Sequence, residues 1–478
     1  MNKWLRGYCG VSSLLTLIRP SSAETPLTRS HDRYRRAGLT AFASLISLGA
    51  NGLVGLLSVP LVVGYLGKDL YGVWLTLSST LSWISLANLG APQGLQNALA
   101  SALARDDSKA ARILVSTALA GAGLLAVILL VLATAAGYVV NWVRVFNLPH
   151  HSADHDVISA ICLSLLLTAL NVPLNSFRVV YLAHQHGYLA SGFDAARLTV
   201  SLVFLFIAIH VRAGMDGIVL AMYGTTLFVT IFSLIWMFWR RYPELRPSFH
   251  LIQFRSLRVI AKTSTSVFGI AVIVMLISTA GNFILTQTAG PAEVPAFALP
   301  AMVFALARGI GASVSGSPGP AYTEAAARGE WQWIRTARRR IRRVVGSVMA
   351  LFVIGMVIAG PWMIDVWSRG EVHTSRILIF LLGLHSALWI TFGGESTIIN
   401  NVDMAHRLVT PALLEAVLFV GGAIALAPGY GGVGIAAAML VAFTCTNGWY
   451  VPRQVSIAID QGIRKSERRV TAIAGQNA

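Results

Sequence analysis

Long apolar runs constrain this chain more than any other feature. Twelve of them follow one another along the sequence, and most are long enough to cross a bilayer as a helix. They cover residues 39–66, 71–104, 110–142, 157–183, 188–211, 215–239, 259–289, 294–327, 344–367, 376–400, 406–428 and 432–459. Charged residues make up only 12% of the 478-residue chain, about half the fraction of an ordinary soluble domain. Because backbone groups in lipid must be hydrogen-bonded within their own segment, the runs predict an all-α polytopic membrane protein.

The basic residues predict the orientation of these spans. With a cytoplasmic N-terminus, 30 of the 37 Lys and Arg residues fall in segments on the inner side, and the outer loops hold five. Basic residues accumulate on the cytoplasmic side of membrane proteins. We therefore predict twelve transmembrane helices with both termini inside, and we interpret the arginine-rich tract 335–343 as an anchor for this topology. Contact of that tract with anionic lipid is the alternative.

Internal similarity predicts that the chain is a tandem duplication. The run 71–105 is interrupted by a break at Gly90 and Pro92, and a similar break at Gly316 and Pro318 leads into a second polar helix. Gly214-Met215-Asp216-Gly217-Ile218 likewise matches Gly429-Tyr430-Gly431-Gly432-Val433, and 66–71 loosely matches 289–294. Duplicated halves are common in transporters. We predict a basic tail at 1–38, six-helix halves at 39–250 and 251–460, a second tail at 461–478, and hinges at the four named Gly and Pro residues.

Several classes of function have no motif in this sequence. It contains no GxxxxGK[ST] phosphate loop, no HExxH zinc motif and no nucleophile elbow, so we predict neither an enzyme nor direct use of ATP. The cysteines at 9, 162 and 445 lack the spacing of metal ligands, and we expect no cofactor and no metal. The loop 150–156 contains three histidines, which we interpret as solvated. The net charge of +17 follows from topology and does not indicate a nucleic-acid partner.

Six ionisable residues in or at the ends of the apolar runs are candidates for function. They are Arg178, Asp194, Arg197, Arg308, Glu395 and Glu415. A charge at the centre of a bilayer costs about 3 kcal/mol or more, so these side chains should face a cavity or a partner. Some of them have simpler alternatives: Asp194 and Arg197, three residues apart on one helix, could neutralise each other, Arg178 could extend to the membrane surface, and Glu395 could make a structural hydrogen bond.

Residues 59–107, VPLVVGYLGKDLYGVWLTLSSTLSWISLANLGAPQGLQNALASALARDD, resemble the N-terminal signature of the Wzx-type polysaccharide flippases. These belong to the multidrug/oligosaccharidyl-lipid/polysaccharide (MOP) exporter superfamily. The resemblance implies two six-helix bundles around a central cavity, in the bacterial inner membrane. It also implies movement of an undecaprenyl-pyrophosphate-linked oligosaccharide by alternating access, for O-antigen, capsule or exopolysaccharide synthesis. Further implied partners are membrane lipids, the polysaccharide polymerase and glycosyltransferases.

Given such a substrate, the charged residues divide into two predicted groups. Arg308, Arg197 and Arg178 are candidates for binding the pyrophosphate headgroup, because arginine grips phosphate oxygens and stays charged when desolvated. Glu395, Asp194 and Glu415 are candidates for ion coupling. The alternative function is an ion-coupled multidrug exporter of the MATE type, for which a cationic drug would favour acidic and aromatic residues. A polytopic glycosyltransferase is disfavoured, because no large outer loop is present to hold a catalytic site.

Overall fold

The structure is a computed structural model that describes residues 26–88, 91–147, 155–184, 186–316, 318–401 and 405–476. Every regular element within these residues is a helix. Ten of the described helical segments are long and apolar enough to cross a membrane. The prediction of an all-α, multi-pass membrane protein is therefore confirmed, while the count of twelve and the orientation stay predictions.

The described helices are numbered in chain order. The first ten are α1 (Pro26–Ile84), α2 (Ala91–Ala104), α3 (Ser108–Val139), α4 (Trp142–Val145), α5 (His155–Asn175), α6 (Arg178–Ala183), α7 (Gly187–His210), α8 (Gly214–Val219), α9 (Thr225–Trp236) and α10 (Phe254–Ala289). The others are α11 (Val294–Gly316), α12 (Gly319–Arg328), α13 (Trp331–Trp367), α14 (Arg376–Phe392), α15 (Ser396–Asn401), α16 (Val409–Cys445) and α17 (Asn447–Gln476). Short 3-10 or π turns connect several of them, including Ser85–Asn88 before α2 and Gly393–Glu395 after α14.

The contacts divide the described residues into two compact units. Unit 1 comprises those within 1–58, 87–139 and 159–265, and unit 2 those within 59–86, 140–158 and 266–478. The core of unit 1 is formed by large side chains of α2, α6 and the π turn Met237–Arg241 after α9, among them Leu99, Tyr181 and Phe238. The main core of unit 2 joins α10, α11, α13, α14 and α16 around residues such as Phe304 and Phe419. Because lipid is as apolar as these side chains, their close packing, more than exclusion of water, holds the helices of each unit together.

Glycines break two of the longest helices. The backbone of α1 is non-helical at Gly67 (φ 75°, ψ 171°), and that of α16 is non-helical at Gly431 (φ 54°, ψ −134°). Such conformations are accessible to glycine because it has no Cβ. Both breaks lie where the sequence predicts a turn between two spans, so each of these long helices contains parts of two predicted segments.

The predicted hinges lie at helix ends. The expected continuous helix over 71–105 is absent: α1 ends at Ile84, a 3-10 turn follows, and α2 starts at Ala91 with Pro92 in its first turn. Proline is tolerated there because the first helical amides need no partner inside the helix. Gly316 likewise ends α11, and Pro318 precedes α12. Gly90 lies outside the described residues, as do residues 1–25 of the basic tail and 148–154 of the histidine loop.

Candidate functional site

Unit 1 contains a cavity that brings together three of the predicted site residues. The cavity is open to solvent, with an empty volume of about 410 Å³ that includes this opening. It is lined from α5, α6, α7 and α9, and its lining includes Arg178, Asp194 and Arg197. Arg178 is at the start of α6, and its Nη2 lies 2.5 Å from Asp194 Oδ2. The Arg178 side chain is 43% exposed and that of Asp194 is 22% exposed, so the ion pair is accessible from the cavity. Asp194 is therefore in direct contact with Arg178, while Arg197 acts on it from a longer distance.

Arg197 gives the cavity a net positive charge. It lies one helical turn after Asp194 on α7, and no carboxylate of the described residues lies within 4 Å of it. The single carboxylate of Asp194 thus faces two guanidinium groups. Hydroxyl and amide groups also line the cavity, contributed by Asn175, Thr230 and Ser233, with Tyr181 and Phe193 as aromatic walls. Cations, neutral hydrogen-bonding groups and aromatic rings together suit a polar anion better than a cation.

The inner end of unit 1, as the sequence orients it, holds a small aromatic and histidine cluster. The His184 ring stacks on Tyr242 at 4.1 Å between centroids, and His186 Nδ1 lies 2.6 Å from the Tyr242 hydroxyl. Burial lowers the pKa of His184, so its neutral form is favoured. The cluster closes the turn between α6 and α7 beside the cavity.

Arg308 in unit 2 is bound by a hydroxyl and has no acidic partner among the described residues. It lies on α11, and its Nη1 donates to Ser386 Oγ on α14 at 2.8 Å. No carboxylate of the described residues lies within 4 Å of its guanidinium group. The neighbouring His385 is only 3% exposed, and neither of its ring nitrogens has a hydrogen-bond partner among the described residues. Arg308 is therefore a second charge inside a candidate span without an acid to neutralise it.

Glu395, by contrast, is held by arginines. It ends the 3-10 turn after α14, and its Oε2 accepts from Arg338 Nε at 2.8 Å, while Arg342 Nη1 lies 3.6 Å from Oε1. Both arginines are on α13, one turn apart. The Glu395 side chain is 6% exposed and that of Arg338 is 11% exposed, so this pair is buried. A small cavity of about 310 Å³ adjoins it, lined also by Ser315, Tyr322 and Thr391.

Glu415 has a neutral environment. It is 3% exposed on α16, and its Oε2 accepts from Asn447 Nδ2 at 2.6 Å and from Thr446 Oγ1 at 3.3 Å. Thr446 and Asn447 lie where α16 ends and α17 begins. No cationic side chain within the described parts of the chain lies within 4 Å of this carboxylate.

The structure brings Arg178, Asp194 and Arg197 together and leaves Arg308, Glu395 and Glu415 at three separate places. Sequence reasoning missed the role of Arg338, because the arginine tract is fully explained by topology. It also missed His385, although a histidine within the apolar run 376–400 is a visible signal. Asn447 and Thr446 carried no such signal, since neutral polar residues are common at helix ends.

No protein-family model and no curated protein matches this sequence. Solved structures do match its fold. An inward-facing multidrug-resistance transporter of the MATE family aligns with a TM-score of 0.65 over 91% of this chain and 100% of its own, at 13% identity. The fold is that of the MOP-superfamily transporters.

Two further MOP-type structures show the same likeness. The lipid II flippase MurJ, in an inward closed conformation, aligns with a TM-score of 0.65 at 12% identity, over 93% of both chains. A MOP transporter from Pyrococcus furiosus, with a binding pocket of reverse polarity, aligns at 0.56 and 13% identity over 90% of this chain and 97% of its own. These structural neighbours are transporters, which agrees with the prediction that the chain is not an enzyme. At such low identities the likeness shows the fold alone, and the Wzx type rests on the resemblance of residues 59–107.

Proposed function

We propose that this protein flips an undecaprenyl-pyrophosphate-linked oligosaccharide across the bacterial inner membrane by alternating access, for O-antigen, capsule or exopolysaccharide synthesis. One observation carries the proposal. Arg197 and Arg308 lie within candidate spans, and no carboxylate of the described residues is within 4 Å of either. Charges placed there are expensive, and an anionic substrate would offset that cost.

The chemistry of a pyrophosphate headgroup fits these arginines. Such a group brings more than one negative charge into a medium of low dielectric constant, where unpaired charge is strongly unfavourable. A guanidinium group donates two parallel hydrogen bonds to phosphate oxygens and keeps its charge when desolvated. Arg178, which lines the same cavity as Arg197, would add a second cation in unit 1. The hydroxyl groups of that cavity would serve the sugar.

The structural neighbours support this choice of substrate class in two ways. MurJ is a lipid II flippase, so one protein of this fold flips a lipid-linked substrate. For the Pyrococcus transporter, the reverse polarity of the binding pocket suggests a different function within the superfamily. The sign of the charge in the cavity is therefore a reasonable criterion for substrate class, and here it is positive.

For ion coupling we propose Glu415 ahead of the other two acidic candidates. Asp194 and Glu395 are each paired with arginine, whereas Glu415 is surrounded by a hydroxyl and an amide. A buried carboxylate without a cationic partner can take up a proton or a metal cation without first breaking an ion pair. Because a cationic drug favours an acidic residue in the membrane, Glu415 also makes a MATE-like multidrug exporter the second candidate function.

Arginine substitutions in a strain lacking the native gene test the proposal. We expect Arg308→Ala, and to a lesser degree Arg197→Ala, to block delivery of the polysaccharide precursor, because losing a charge-assisted hydrogen bond costs about 1.5–3 kcal/mol, or about tenfold or more. Arg308→Lys should restore delivery in part. The measurement is accumulation of lipid-linked intermediates at matched expression.

Arg144→Ala is the matched control, since this arginine is exposed on α4 and should be dispensable. Normal polysaccharide delivery with alanine at both 197 and 308 would reject the anionic-headgroup site. Export of a cationic dye that depends on Glu415 would then favour the multidrug exporter.

A further inference from the structure

The ion pair in the unit 1 cavity is arranged as an exchangeable one. Arg178 and Asp194 are in direct contact at 2.5 Å, yet their side chains are 43% and 22% exposed. Partly exposed ion pairs contribute little to stability, because water competes for both groups. An anion entering the cavity can therefore displace the Asp194 carboxylate from Arg178 at small cost.

The net charge of this cavity does not match that of a pyrophosphate. With Asp194 ionised, the two guanidinium groups and the one carboxylate sum to +1, whereas a pyrophosphate carries more than one negative charge, and Asp194 occupies part of the Arg178 guanidinium. Releasing Arg178 gives the anion two guanidinium groups, on α6 and α7. Asp194 then stands beside a bound anion and has lost its cation, and like charges at close range favour protonation of one of them.

On the basis of the function proposed above, we infer that the Asp194 carboxylate occupies the position on Arg178 that a substrate phosphate takes when it binds. Anion binding in the unit 1 cavity is therefore accompanied by uptake of one proton by Asp194. The proton comes from solvent through the open cavity and leaves when the anion departs and Asp194 returns to Arg178. The titratable or charged groups facing Asp194 are Arg178 and Tyr181 from α6 and Arg197 from α7. The parts of α5 and α9 that line the cavity contribute Asn175, Thr230 and Ser233, which do not titrate.

The consequence is a coupling between headgroup and proton within one site. By linkage, a step that binds one proton with the anion makes anion affinity fall by about tenfold for each unit of rising pH, wherever free Asp194 is ionised. Removing the carboxylate removes this dependence and strengthens binding, because Arg178 no longer has an internal competitor.

The test uses the purified full chain in detergent with farnesyl pyrophosphate as the probe and farnesol as the phosphate-free control. Calorimetric titration in buffers of different ionisation heat counts the protons taken up on binding. We expect the wild type to take up about one proton more per bound probe than Asp194→Asn, and the variant to bind about tenfold tighter at neutral pH. Since the probe's own phosphate titrates, the proton count is read as the difference between the two proteins.

Asp216→Asn is the matched control, because this carboxylate lies in the same unit but bonds Ser159, outside the cavity. It should show the wild-type proton count. Equal proton counts for wild type and Asp194→Asn overturn the inference and leave the binding site of the proposed function intact. The counts would also be equal if Asp194 moved to Arg197 and stayed ionised, so that outcome likewise overturns the inference. Absent probe binding, or binding that Arg197→Ala leaves unchanged, rejects the headgroup site of the proposed function as well.

Discussion

Arg338 connects three helical elements through one side chain. Besides its contact with Glu395, its Nη1 donates to Ser456 Oγ and its Nη2 to the Pro452 carbonyl, both at 2.8 Å on α17. The arginine itself comes from α13 and Glu395 from the turn after α14. A buried ion pair whose donors are so fully used acts as a clamp between these helices. Glu395 is consequently tied to the structure of unit 2 in a way that Glu415 is not.

This geometry predicts that Glu395→Gln destabilises the protein. The substitution would leave the Arg338 guanidinium buried without its counter-ion, and breaking one side of a buried pair costs about 3–5 kcal/mol. We expect a clear fall in the melting temperature of the purified protein. Replacing both residues, as in Arg338→Met with Glu395→Gln, should recover much of the loss because no deeply buried charge is then left unpaired, while Arg342 is 40% exposed.

The neighbouring pair of Arg335 and Asp460 is the control for this experiment. This pair also links α13 to α17, as Arg338 does, but its side chains are 34% and 53% exposed. Asp460→Asn should change stability by less than about 1 kcal/mol. If Glu395→Gln melts like the wild type and instead abolishes the pH dependence of transport, Glu395 is a coupling residue and the clamp is wrong.

At the residue scale, the sequence identified charges but could not assign their partners. The high cost of a charge in lipid singles out Asp194, Arg308 and Glu415 correctly as charges within apolar helices. Whether Asp194 pairs with the arginine three residues later or with one sixteen residues earlier depends on how α6 packs against α7. Glu395 and Arg338 are 57 positions apart, and no spacing rule links them.

Two helices of unit 2 are joined by a ladder of polar contacts. Thr76 on α1 lies 2.6 Å from Thr286 on α10, hydroxyl to hydroxyl, and Asn282 Nδ2 donates to Ser79 Oγ at 2.7 Å. One turn further, Trp83 Nε1 donates to Thr279 Oγ1 at 2.5 Å. Interhelical hydrogen bonds between small polar side chains are a common means of holding membrane helices together. If transport uses alternating access, a ladder of exchangeable contacts of this type is suited to open and close.

A disulfide across the ladder tests that idea. In a background with all native cysteines replaced by serine, Thr76→Cys with Thr286→Cys should form a bond on oxidation, because the two hydroxyl oxygens are already 2.6 Å apart. We expect oxidation to stop precursor delivery and a reducing agent to restore it. Thr76→Cys with Thr288→Cys is the control, since the Thr288 hydroxyl bonds its own helix at Ile284. Full transport by the oxidised double variant would show that these helices need not separate.

At the scale of elements, the apolar runs located the helices better than their breaks. Gly and Pro at 90–94 predicted a hinge, but the helix already ends at Ile84 and the 3-10 turn lies over Ser85–Asn88. Nothing in Ser-Leu-Ala-Asn forbids a helix, and the Asn88 side chain donates to the Val172 carbonyl on α5 at 3.0 Å. A tertiary contact of that kind is invisible to local sequence patterns.

For the whole molecule, the asymmetry of basic residues predicts the topology. Reporters fused after Arg246 and after Arg464 should be cytoplasmic, and one inserted in the loop 150–156 should be periplasmic, because basic loops are retained inside. Alkaline phosphatase and green fluorescent protein fusions give opposite signals in the two compartments. A periplasmic signal after Arg464 would contradict the twelve-span arrangement.

The sequence predicts a repeat, but the predicted halves do not coincide with the compact units. Contacts place 59–86 and 140–158 with residues 266 onward, so unit 2 contains segments from the predicted first half. A duplication concerns the evolutionary origin of the two halves, whereas a compact unit concerns how the folded chain packs. The boundary at residue 250 is a prediction about origin. Substrate identity was equally out of reach, because sugars are recognised by hydrogen bonds that no composition encodes.

The two loosely matching segments 66–71 and 289–294 carry one backbone feature in common. Gly67 has φ 75° and ψ 171°, and Gly290 has φ 91° and ψ 161°. This region of backbone space is essentially closed to residues with a side chain. Two glycines 223 positions apart thus have nearly the same backbone conformation, although the residues around them differ. Either segment could replace the other without strain at its glycine, which makes this protein a suitable starting point for building a transporter from two copies of a single half.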